Sequence, residues 1–110
     1  GPDPKRFADR IRRVLAAVPA TACVYWPSIV RPPRKGDETE LNRTLRAMAL
    51  RDPRLVIVDW EGAVLSGRVL LPDELHPDAA GYAERSRLVA EAIQRGCTHG
   101  VGGTLGPAED

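Results

Sequence analysis

Apolar residues in this chain occur in two patterns, helical spacing and short unbroken runs. Phe7, Ile11, Val14, Leu15 and Val18 recur at helical spacing, which predicts a helix from Asp3-Pro4 up to Pro19. Asp3 suits the N-cap and Pro4 the first helical position, where a missing N–H breaks no bond. Ala22-Cys23-Val24-Tyr25-Trp26 is a nearly continuous apolar run, which predicts a strand buried on both faces of a parallel sheet and stopped by Pro27. Leu41, Leu45, Met48 and Ala49 predict a second helix, from Asp37 or Thr39 to Leu50, broken at Asp52-Pro53. Leu55 to Trp60 is the most strand-like run, rich in β-branched residues. A loop is expected from Glu61 to Leu71. A last helix is expected from near Pro77 to Arg95, with Tyr82, Leu88, Val89, Ala92 and Ile93 inward and Gly96 as C-cap.

Helices alternating with strands predict an α/β fold with parallel strands and flanking helices, joined by a right-handed crossover. The two cysteines, Cys23 and Cys97, lack metal-ligand spacing, so no metal site is expected. Two readings of them stay open. They are free buried thiols, or they are bridged, because the start of the first strand and the end of an antiparallel last helix fall at one end of the layout.

Length and composition narrow the class. The 110 residues make one domain at most, read as 1–97 with a flexible Gly-rich tail over 98–110. Lys+Arg 16 against Asp+Glu 15 gives a net charge of +1, which calls for neither nucleic acid nor an anionic membrane. The predicted first helix is locally basic, through Lys5, Arg6, Arg10, Arg12 and Arg13, but Asp9 interrupts it and no aromatic is interleaved. A solvated face is the expected reading. No apolar run approaches the roughly 20 residues of a membrane span. Gly1-Pro2 has the form of a scar left by tag removal. The composition looks bacterial, and cytoplasmic and extracytoplasmic placement stay equally open.

The stretch with most chemistry is Asp73-Glu74-Leu75-His76-Pro77, followed by Gly81-Tyr82. A carboxylate three residues before an imidazole can hold the Nδ1–H and leave Nε2 free as a base. The plain reading is a charged loop ahead of an amphipathic helix. Asp59, at the end of the second predicted strand, is a rival acid, though the spacing to His76 favours Asp73. Ser28 follows the first strand but lacks the Gly-x-Ser-x-Gly turn that exposes a nucleophile. Asn42-Arg43-Thr44 spells a glycosylation acceptor in a helix, a poor place for one. His99 has no role assigned.

Asp-x-x-His-Pro followed by Gly-Tyr resembles the last sequence block of the SGNH (GDSL) hydrolases. These are Ser-His-Asp esterases, lipases and acyl-transfer enzymes on a flavodoxin-like three-layer fold. The resemblance implies that Asp73 and His76 are the acid and base of a triad. It extends back to about Phe7 but covers only the second half of such a domain. The Gly-Asp-Ser turn and the oxyanion-hole Gly and Asn blocks are not in this sequence, whose only Asn is Asn42.

The resemblance therefore implies a partial flavodoxin-like fold with its N-terminal strands missing. It implies an ester or acylated-sugar substrate, no cofactor, and a nucleophile and oxyanion hole supplied by an N-terminal half or a second chain. That partner would cover the open edge of the strand at 22–26. In these relatives the basic loop Arg31-Pro32-Pro33-Arg34-Lys35-Gly36 lies near the active-site mouth; a plain surface connection is the other reading. The alternatives to an enzyme piece are an inactive SGNH-derived interaction module and a basic-helix binder of nucleic acid or anionic surfaces.

Overall fold

The computed structural model describes residues 3–30, 37–72 and 76–97. The basic loop 31–36, Asp73 and the tail 98–110 lie outside the described residues, so the expectations placed on them are not addressed. The rest is a small α/β domain of four helices and two parallel strands. The order is α1 (Pro4–Ala17), β1 (Val24–Pro27), α2 (Asp37–Arg51), β2 (Leu55–Val58), α3 (Trp60–Leu65) and α4 (Ala79–Arg95).

Helix α1 begins as its sequence dictates. The Asp3 carboxylate accepts from the Lys5 N–H at 2.9 Å, and Pro4 follows it. Its apolar stripe buries Phe7, Ile11 and Leu15. Leu41 and Leu45 of α2 and Leu55 of β2 complete this core, with Val24, Trp26 and Ile57 packed against it. Phe7 meets Trp26 edge to face, with ring centres 5.9 Å apart.

In the sheet, Val24 pairs with Leu55 and Pro27 with Val58, in parallel. Val24, Trp26, Leu55 and Ile57 turn one face toward α1 and α2. Alternation turns Tyr25 and Val56 to the opposite face, where α4 packs. The Val24 N–H donates to Arg54 O at 2.7 Å and the Ser28 N–H to Val58 O at 2.9 Å. In a parallel ladder this register leaves the backbone groups of Cys23, Tyr25 and Pro27 on the outer edge.

That geometry corrects two expectations. Pro27 does not stop the strand but closes it, because its missing N–H falls on the open edge, where no ladder bond is lost. Helices cover both faces of β1, yet all four of its residues are only half-buried, since a strand paired on one side only, among the described residues, keeps its outer flank in solvent.

The expected strand at 55–60 is also shorter, and part of the expected loop at 61–71 is helix. Asp59 leaves the strand and caps α3, accepting from the Gly62 N–H at 2.9 Å. At the end of α4, Gly96 adopts φ 70° and donates its N–H to Ala92 O at 2.9 Å, as its glycine identity predicts. The inner face of α4 is in part the one expected: Ala92 is buried and Leu88 packs against the core of Trp60, Ala63 and Val69. Gly81 is buried as well, whereas Tyr82 and Ile93 are about half exposed. Cys23 and Cys97 are joined in a disulfide with their Cα atoms 5.8 Å apart, which resolves the open question about the thiols. No helix among the described residues is long and apolar enough to cross a membrane.

Candidate functional site at the strand ends

The disulfide sets the polarity of the site. It holds the last turn of α4 beside the start of β1. Helix α4 has 17 residues, about 25 Å at ~1.5 Å per residue, and it packs along both strands. Its N-terminal end therefore reaches the carboxyl ends of β1 and β2, where α/β sites form. His76 stands exposed just ahead of that end.

Two features seat the segment that carries His76. Asp78 caps α4, accepting from the Gly81 N–H at 2.8 Å. Gly81 is buried against Pro77 and Val69: a Cβ placed there would lie 2.6 Å from the Pro77 Cβ and 3.0 Å from the Val69 Cγ1. Only glycine lets the first turn of α4 close on Pro77, the residue next to His76. Val69 belongs to the small core of Trp60, Ala63 and Val69, against which Leu71 and Leu88 pack. The Arg85 guanidinium lies over the Trp60 ring, 5.6 Å from its centre.

Other candidates have different roles. Ser28 is buried, with its Oγ donating to Val58 O at 3.3 Å and accepting from the Glu61 N–H at 2.8 Å. Ser28 thus ties the end of β1 to β2 and to the first turn of α3, and no exposed nucleophile results. Asp59, the rival acid, is spent on its cap. The described residues do not include Asp73, so its distance to His76 is not addressed. Among the described residues, no three His, Cys, Asp or Glu side chains gather as metal ligands.

Asn42, read from sequence only as a glycosylation acceptor, is fully buried. Its Oδ1 accepts from the Ile29 N–H at 2.7 Å and its Nδ2 donates to Ile29 O at 2.9 Å. It pins the chain leaving β1 to α2. The signal was present, because Asn42 stands three and seven residues before Leu45 and Ala49, on the same helix face. Glu38, in the first turn of α2, has one buried carboxylate oxygen with no hydrogen-bond partner among the described residues. No sequence pattern singled it out.

Charges on α4 are organised in a chain. Glu84 contacts Arg87 at 2.7 Å and Arg68 at 3.6 Å; Arg87 also reaches Glu91 at 2.7 Å. The hydrogen bond from Arg87 holds the Glu84 carboxyl below its ordinary range, against a desolvation penalty that acts the other way. The same pairing raises Arg87.

Compared with known proteins, the chain matches no protein-family model, no curated protein and no solved structure.

Proposed function

We propose that this chain is the C-terminal portion of an SGNH-type ester hydrolase or O-acyltransferase. In this reading His76 is the general base and Asp73 the acid that orients it. The nucleophilic serine and the oxyanion donors come from an N-terminal half or a second chain. The observation that carries the reading is the place of His76, at the start of the helix that packs on two parallel strands and at their carboxyl ends. A base there faces the end of the sheet where a nucleophile on a neighbouring strand would stand. In the flavodoxin-like order, β1 and β2 are the fourth and fifth strands, and the outer edge of β1 receives the third. The substrate is an ester or an acylated sugar.

Loss of the nucleophile from such a triad costs on the order of 10⁶ in turnover. The chain alone is therefore expected to leave an activated ester intact. Mixed with a half that carries a Gly-Asp-Ser turn, it is expected to show a burst of acyl-enzyme formation that His76→Ala abolishes. Undiminished turnover by His76→Ala in the reconstituted protein sinks the proposal. A second reading, an inactive interaction module, draws on the exposed Leu65 and Leu70 and on the open edge of β1. It predicts strand-dependent association without ester turnover.

A further inference from the structure

Helix α1 is unevenly charged around its girth. Toward α2 it turns Ala8, Arg12, Leu15 and Ala16, which face Thr44, Ala47 and Met48 across a shallow groove. Its buried stripe is Phe7, Ile11 and Leu15. Arg6, Arg10 and Arg13 stand at i, i+4 and i+7, so they form one row, on the flank turned away from α2. All three are exposed, and among the described residues none of them is ion-paired. The acids of this helix and its cap are engaged elsewhere. Asp3 accepts from the Lys5 N–H, and Asp9 pairs with Arg12 at 2.6 Å, on the side toward α2.

The row has a fixed place relative to the sheet. Helix α2 packs on β2, whereas Phe7 of α1 meets Trp26 of β1. The flank of α1 away from α2 therefore overhangs the outer edge of β1, where no strand pairs among the described residues. That edge offers the N–H groups of Cys23 and Tyr25 and the carbonyls of Cys23, Tyr25 and Pro27. Open ladder groups below a row of unpaired guanidinium groups suit one kind of occupant. It is an extended segment that continues the ladder and carries carboxylates on the face toward the arginines.

We propose that the outer edge of β1 binds an acidic extended segment of a partner protein by strand addition, with its carboxylates at Arg6, Arg10 and Arg13. The proposed function fills the same edge; this inference rests on that part of it, gives the occupant its charge, and needs none of the ester chemistry. A nucleic acid would use the arginines but leave the ladder groups of Cys23 and Tyr25 without partners.

The test is titration of the whole chain with a short peptide of alternating glutamate and valine, followed by calorimetry and amide chemical shifts. Such a peptide, once extended, turns its glutamates to one face. Saturable binding is expected, with shifts at Cys23, Tyr25 and the α1 residues from Arg6 to Arg13, and it should weaken on added salt. The same peptide with lysine in place of glutamate should bind at least roughly tenfold more weakly. Arg10→Glu combined with Arg13→Glu, both at exposed positions, should reverse that preference, and an unchanged urea midpoint checks that the variant folds. Absence of saturable binding, equal affinity for the two peptides, shifts that spare Cys23 and Tyr25, or tighter binding of a single-stranded oligodeoxynucleotide of equal charge overturns the proposal. None of these outcomes reads ester turnover, so the esterase reading stands or falls separately.

Discussion

The two layers of this domain are held together by different means. On one side of the sheet, α1 and α2 interlock through long side chains. Phe7, Ile11, Leu15, Leu41, Leu45 and Leu55 are buried as one cluster. On the other side, α4 buries only Gly81 and Ala92, and the nearby core is Trp60, Ala63 and Val69. Small residues let a helix approach closely but remove little apolar area from water. The second layer compensates with a covalent bridge at one end of α4, the Asp78 cap at the other, and the ion pairs along it. Packing, with the buried Asn42 bonds to Ile29, positions the first layer; the helix that follows the candidate base depends on a tether.

The sharpest way to break this comparison is to cut the tether. The bridge spans 74 residues of sequence, and a loop of that size is worth about 4 kcal/mol in the chain-entropy account. Cys97→Ser should lower the urea midpoint by the equivalent of that figure. It should also raise amide exchange along α4 more than along α1. Equal exchange in the two helices would remove the contrast.

Next in size is Leu45→Ala, which opens a cavity at a fully buried position in the first layer. The expected loss is about 3 kcal/mol. It should fall on α1, α2 and the sheet together, since all share one core. A denaturation midpoint unchanged by this substitution would contradict the assignment of stability to that cluster.

The smallest effect is in acid. The folded-state pKa of Glu84 is depressed, so its contribution is complete above the ordinary carboxylate pKa of about 4.3 and is lost as the pH falls through the lower folded value. Glu84→Gln should flatten the acid limb of the stability profile of α4 and change little at neutral pH. Parallel acid limbs in parent and variant would show that the pairing does not couple to folding.

Much of this architecture could be read from residue order, and the losses are instructive. Helices α1 and α2, strand β2 and the Gly96 cap were legible because spacing and end signals agreed at each. Helix α3 was not, because six residues following a strand carry no visible period and Asp59-Trp60 continued the strand-like run. The inner face of α4 was legible at Leu88 and Ala92, but not at Gly81, and Tyr82 and Ile93 were misjudged because they are large and apolar while the close approach is made by a glycine. Of the candidate site, the type and position of His76 were legible. The structural duties of Ser28, Asn42 and Asp59 were not, since each depends on a partner from another element or on a boundary that the pattern blurs.

The residue order by itself determined the alternation of helices and strands and their parallel sense, because local periodicity and chain-entry signals act over a few residues. Tertiary structure alone decided that β1 lies at an edge tolerant of Pro27, that the two cysteines meet, and that glycine seats the turn beside His76. Those outcomes depend on contacts between residues far apart in sequence, and the distance between such residues is set only when the layers pack.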